Sequence, residues 1–225
     1  MPMNESFDDK WNKIYDDGKQ INQFPFSDLI SFYYNKFKEN SPKLNILEVG
    51  CGAGNNLEFM AKLGHNVFGI DASEKIIEYT KNKFKEKNLP GNFSVNKFTE
   101  LPFDDNYFDL IINRAAICHT DIKNAHNAIE QCNRVIKNTG IFYSTFFTNF
   151  NTFKANKIDF GYYDSFEEGF HNIGALKFYN IFEVTKLFEE HNFNIIDIFL
   201  TEKIDMKNIP TKINSEWIIH SNKNK

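Results

Sequence analysis

Cysteine is scarce in this chain, and its three thiols, Cys51, Cys118 and Cys132, stand far apart with no Cys-x-x-Cys spacing. Three thiols cannot all pair within one chain, so a disulfide framework is excluded and a reduced, cytoplasmic setting is expected. A metal centre is not expected either: His65, His126, His171, His191 and His220 have no ligand spacing with one another or with cysteine. No apolar run approaches the ~20 residues a membrane helix needs. The start, residues 1–13, is acidic and polar where a secretory signal is basic and then apolar. Positive charge is not in excess. A net charge of -4 gives no field that steers a protein onto phosphate backbones, so neither membrane nor nucleic acid is expected as a partner. Lys81, Lys83, Lys85 and Lys87 do bunch, but mixed with Asn82 and Glu86 they read as a solvated helix face.

What is present fits one domain of 225 residues, 41% hydrophobic and 25% charged. From about residue 43 strands and helices alternate, the pattern of a parallel sheet covered on both faces. Strands are expected at 44–49, 67–70, 93–95, 108–113 and 141–147. Between them lie helices at 54–63, after Ser73 as N-cap, and at 121–137, where Asn138-Thr139-Gly140 is expected to stop the chain. A helix at 181–191 and an antiparallel pair at 193–200 and 213–220 close the chain. The fold class is therefore α/β: a doubly wound, Rossmann-like sheet of five parallel strands plus a C-terminal antiparallel pair. Residues 1–42 form an N-terminal extension, 43–147 the core, 148–178 an insertion and 179–225 the C-terminal part. Ligands in such sheets bind beyond the carboxyl ends of the strands, where the extension and the insertion are placed to act as lids.

The stretch Glu48-Val49-Gly50-Cys51-Gly52-Ala53-Gly54-Asn55-Asn56 is the most informative. Its glycines allow a sharp turn at a strand end and close approach of a ligand to the main chain. Asp71, at the end of the next strand, stands 21 residues after Gly50, the placement of an acid that receives ribose hydroxyls. Two ligand classes fit. The dinucleotide fingerprint is G-x-G-x-x-G, whereas the spacing here is G-x-G-x-G. With Gly69-Ile70-Asp71-Ala72-Ser73, Leu101-Pro102-Phe103, Asn106 to Leu110 and Arg134-Val135-Ile136-Lys137-Asn138-Thr139-Gly140, the sequence resembles the class I S-adenosylmethionine-dependent methyltransferases over residues 44–147. Residues 11–25 and Ser215-Glu216-Trp217 are similar to a bacterial subgroup acting on small molecules.

The resemblance implies S-adenosyl-L-methionine as cofactor, with Gly50, Gly52 and Gly54 lining its methionine part and Asp71 accepting from both ribose hydroxyls. Glu48 is implied beneath the loop, holding its amides or the cofactor's ammonium. Cys51, Asn56, Ala72, Ser73 and Ala115 complete the implied pocket, and Trp11, Tyr15 and Phe24-Pro25-Phe26 are expected to close over it. At the position of the family's adenine-binding acid stands Lys97, an ammonium that only donates. Phe98 and Thr99 are expected to frame the ring, while Lys97 either lies at the site or points to solvent.

Methyl transfer needs an aligned nucleophile and an acceptor for its proton. His119 is the candidate base, since imidazole titrates near neutral pH; a capping histidine before the next helix is the other reading. Arg114 is expected either to bind the cofactor's carboxylate or an anionic substrate, or to form a surface ion pair. The aromatic residues from Phe142 to Tyr179 are expected to be core before 150 and pocket wall after it. The expected reaction is methyl transfer to an O or N atom of a small-molecule acceptor. A cofactor-binding module without turnover and a dinucleotide oxidoreductase are the rivals.

Overall fold

Short runs of branched and aromatic residues build one central sheet, described here from a computed structural model covering residues 10–37, 42–152, 156–159, 162–164, 176–207 and 211–224. In chain order the elements are α1 (Lys10–Asp16), α2 (Ser27–Lys36), β1 (Asn45–Val49), α3 (Asn55–Lys62), β2 (Asn66–Asp71), α4 (Glu74–Glu86), β3 (Asn92–Val95) and β4 (Phe108–Arg114). They continue with α5 (Ile122–Val135), β5 (Ile136–Phe147), β6 (Asn156–Asp159), β7 (Tyr162–Asp164), β8 (Leu176–Lys177), α6 (Ile181–Glu189), β9 (Phe193–Asp205) and β10 (Lys212–Lys223). The sheet runs β3-β2-β1-β4-β5-β10-β9. Its first five strands are parallel, and β10 and β9 are antiparallel additions. The expected fold class is thus the observed one.

Strand order reverses between β1 and β4, where Val49 stands beside Asn113. Neighbouring loops diverge at such a switch point and leave a crevice beyond the strand ends. Two apolar layers hold the sheet. On one, α5 and α6 bury Ile129, Cys132, Leu187 and Phe188 against Phe142 and Phe146; on the other, α2, α3 and α4 bury Leu29, Leu57, Met60 and Ile77 against Ile46 and Leu110. Each such side chain contributes roughly 1.5–3 kcal/mol when fully buried.

Several expectations need correction. The helix before the fifth strand ends at Val135, and Asn138-Thr139-Gly140 belong to β5, which begins at Ile136 with a register shift opposite Phe108 and Leu110. Ser73 is the N-cap of α4 by position but makes no side-chain capping bond; its hydroxyl donates to Asn12 Oδ1 at 2.7 Å and ties α1 down. Lys83 is not solvated. It is buried, and its ammonium reaches Ala53 O at 2.9 Å and Glu58 Oε2 at 3.1 Å. Burial opposes charge on Glu58, but bonds from Lys62, Lys87 and Lys83 outweigh it and bring its pKa down to about 2. In the insertion, β6, β7 and β8 form a small antiparallel sheet. Phe153, Phe160, Phe166 and Phe170, expected as pocket wall, lie outside the described residues. Phe142, Tyr143, Phe146 and Phe147 are buried as expected, but so are Phe178 and Tyr179.

Candidate active site

The turn after β1 is built from backbone conformations that a side chain resists. Gly50 has φ +65°, and a Cβ on it would lie 2.3 Å from the Cβ of Ala116. Gly52 has φ +50° with only the Tyr15 hydroxyl, 3.8 Å away, near such a Cβ, so its face is open to the crevice. From beneath, Thr80 donates to Gly52 O (2.8 Å) and Lys83 to Ala53 O. Asp71 fixes the other side: Oδ2 accepts from Gly52 N at 3.1 Å and Oδ1 from Ser73 N at 3.0 Å. Burial raises its pKa to about 6 against these bonds.

Beyond the turn lies a cavity of about 380 Å³. Its floor is Glu48, Gly50, Cys51, Gly52 and Asn56, its β2 side Asp71, Ala72 and Phe98, and its β4 side Arg114, Ala115 and His119, with Trp11 and Tyr15 from α1 opposite. Thirteen of the expected positions are therefore brought together. Four lie off the wall. Gly54 starts α3, and a Cβ there would strike Thr80 Cγ2 at 2.7 Å, so its role is helix packing. Ser73 ties down α1, Thr99 is half-buried outside the lining, and Lys97 is exposed beside a second, shallow hollow with Val95, Glu100 and Pro102. Of the expected closing segment, Phe26 reaches the cavity while Phe24 is exposed.

Glu48 does not hold the loop amides. Its Oε1 accepts from Asn56 Nδ2 at 2.7 Å, and its Oε2 is buried without a hydrogen-bond partner. Burial raises its pKa to about 8, against the Asn56 bond and the attraction of Arg114. The Asn55 and Asn56 side chains secure the N-terminal segment, through Phe24 O at 2.8 Å and Phe26 N at 3.1 Å. Burial, with Asp71 nearby, keeps the Tyr15 phenol well above its usual pKa, so it is a neutral hydroxyl near pH 7.

β4 ends in a sharp turn at Ala115, whose φ of +59° is unusual for a residue with a Cβ; such backbone costs on the order of 1–3 kcal/mol. The following 3₁₀ turn, Ala116–His119, sets His119 at the cavity with its ring edge-on to Trp11, centroids 5.0 Å apart. Arg114 is neither a surface ion pair nor an uncommitted anion site. Its Nη1 meets Glu216 Oε2 at 2.7 Å and Thr145 Oγ1 at 2.9 Å, its guanidinium lies 4.2 Å over Phe26, and its buried Nε has no hydrogen-bond partner. Sequence reasoning missed Gln20, Asn22, Phe147, Asn214 and Glu216 on the wall. The last two come from β10, and no local pattern announces that an antiparallel addition reaches the crevice.

Among the described residues no group of His, Cys, Asp and Glu is placed to hold a metal ion, and no helix is long and apolar enough to cross a membrane.

A family model described as a methyltransferase domain matches residues 47–144. A ubiquinone biosynthesis O-methyltransferase of Coxiella burnetii is 29% identical over 156 residues, 68% of this chain and 65% of that protein. The match thus spans just under two thirds of the length of that protein, and 38–40% of the same-named proteins of Pelagibacter ubique and Maricaulis maris. Among solved structures, an S-adenosylmethionine-dependent methyltransferase of Methanosarcina mazei matches with TM-score 0.72 and 20% identity over 89% of this chain and 99% of that one. The 1,6-didemethyltoxoflavin-N1-methyltransferase of Burkholderia thailandensis, with bound 1,6-didemethyltoxoflavin and S-adenosylhomocysteine, matches with TM-score 0.70 and 13% identity over 96% and 86%.

Proposed function

We propose, from the premise that residues 47–144 of this chain form a class I S-adenosylmethionine-dependent methyltransferase domain, that the protein transfers a methyl group from S-adenosylmethionine to an O or N atom of a small molecule. A hydroxyl is the first candidate, because the curated relatives are named as O-methyltransferases. The observation that carries the reading is the partnerless Glu48 Oε2 in the floor of the same cavity that Asp71 borders. A buried carboxylate oxygen without a donor fits the cofactor's ammonium, and the Asp71 carboxylate, ending β2 at the cavity, fits the ribose hydroxyls.

The cofactor supplies an electrophilic methyl on a sulfonium. The protein's part is to align the acceptor and take its proton. With the cofactor bound, the acceptor oxygen would bond to the methyl carbon as the carbon–sulfur bond broke to a neutral thioether, and His119, at the cavity wall, would take up the acceptor's proton. Glu216 bears on the acceptor's charge. It neutralises Arg114, so the protein wall itself offers no unpaired guanidinium to hold an anionic acceptor. An uncharged acceptor is therefore the first to test.

Incubation with S-adenosylmethionine and a panel of phenols, catechols and heteroaromatic amines, read by mass spectrometry, tests this. The expected result is S-adenosylhomocysteine together with a product one methyl heavier, from neutral members of the panel. Cofactor binding without turnover on any of them would favour a binding module instead.

A further inference from the structure

β9 is 13 residues long, more than twice the ~5–6 of an ordinary strand. It ends the sheet, pairing with β10 on one side only among the described residues. β10 itself pairs with β5 only over Glu216 to Ser221, so the far end of the β9–β10 hairpin extends past the parallel sheet. On this open edge Ile196, Phe199, Leu200 and Ile204 are 41–50% exposed. A long edge strand with exposed apolar side chains is a template for another strand, and the charges of Asp197, Glu202, Lys203 and Asp205 restrict the registers a partner can take.

We infer that this edge pairs with the same edge of a second copy of the chain, the two β9 strands running antiparallel about a two-fold axis through Leu200. In that register β9 offers two symmetry-related ion pairs and an apolar centre. Side chains of like parity share a face, so a two-fold normal to the sheet allows only registers centred on a residue. Centring on Leu200 sets Asp197 opposite the second copy's Lys203, Ile198 opposite Glu202, Phe199 opposite Thr201 and Leu200 opposite itself. The ladder ends at the bulge by which β9 shifts register between Asp197 and Ile195 against β10, where Ile204 comes level with the second copy's Ile196. Centring on Thr201 instead places Asp197 opposite Asp205, and centring on Phe199 places Asp197 opposite Thr201, so that both ion pairs are lost. Opposite charges and apolar pairs across strands stabilise, and like charges directly opposed destabilise. Asp197 already receives Lys36 and His220 at 3.0 Å each, and its carboxylate, 32% exposed, remains open to a further cation. The pairing also bears on the cavity, since Glu216 and Asn214 on its wall stand in register with Thr201 and Lys203 of β9.

Sedimentation or light scattering on the full chain, with cross-linking of cysteine variants, tests the inference. The wild type is expected to be a dimer at micromolar concentration, and Lys203→Glu, which opposes two acids twice across the axis, should raise the dimer dissociation constant several-fold with an unchanged circular dichroism spectrum. Cross-strand Cα atoms at ~4.5–5.5 Å lie within disulfide reach. Leu200→Cys should therefore give a covalent dimer under mild oxidation, whereas Thr201→Cys, opposite Phe199, should not. The three native thiols are buried and leave the assay clear. A monomeric wild type overturns the inference, whether its edge is covered by its own chain or by nothing. Equal cross-linking of both cysteine variants overturns the register.

Discussion

Replacing Asp71 with alanine is expected to weaken S-adenosylmethionine binding at least about tenfold, since a hydrogen bond to a charged group is worth roughly 1.5–3 kcal/mol and two ribose hydroxyls are at stake. The same substitution strips Gly52 N and Ser73 N of their acceptor, so the glycine turn loosens as the ribose loses its partner. Asp71→Asn keeps a carbonyl for one of these donors and should fall between alanine and wild type. pH gives an independent reading. Burial holds the Asp71 pKa up to about 6, so affinity should decline as the carboxyl protonates below that value. For the protein alone the sign is reversed. A carboxyl with a raised pKa contributes stability that is full below its unfolded value and lost as pH rises through its folded one. That window closes at about 6 for Asp71 and about 8 for Glu48. An ammonium beside Glu48 offsets the loss, so thermal stabilisation by the cofactor should grow between pH 6 and 8. Unchanged affinity of Asp71→Ala in calorimetry would remove this residue from the ribose site.

The second large effect is on turnover. His119→Ala should lower the rate by about 10²–10⁴ while leaving cofactor affinity intact, because general-base assistance contributes on that scale and the cofactor's proposed anchors, Glu48 and Asp71, lie on other strands. With an imidazole base the rate should rise with pH as the ring loses its proton. Trp11 holds the ring edge-on, so closure of α1 and orientation of the base are linked. Steady-state kinetics across pH check this. A variant with wild-type turnover and an unaltered profile would leave alignment alone to explain the rate.

The parts legible in the sequence are those fixed by local chemistry. Gly50 and Gly52 stand where a side chain clashes or closes the crevice, Asp71 follows directly from the end of a strand, and the alternation of apolar runs gives the parallel order. The C-terminal antiparallel pair was also legible, though not its reach. Asn214 and Glu216 arrive at the cavity because β10 lies beside β5 with Glu216 level with Phe147, a tertiary register that no spacing within β10 encodes. Arg114 shows the same limit, its role being decided by a partner about a hundred residues later in the chain. Gly140 misled because a glycine after a helical run looks like a stop; here it sits in β5 where a Cβ would approach Phe108 O at 2.9 Å. Lys97 departs from the family's acid and is exposed off the cavity wall, an outcome that the departure itself left open between site and solvent.

What the glycine turn and Asp71 receive decides between S-adenosylmethionine and a dinucleotide. Calorimetric titration of the 225-residue chain with S-adenosylmethionine and, separately, with NAD tests it most directly. Saturable one-to-one binding of S-adenosylmethionine with no heat from NAD is the predicted result; saturable NAD binding with none for S-adenosylmethionine would contradict it.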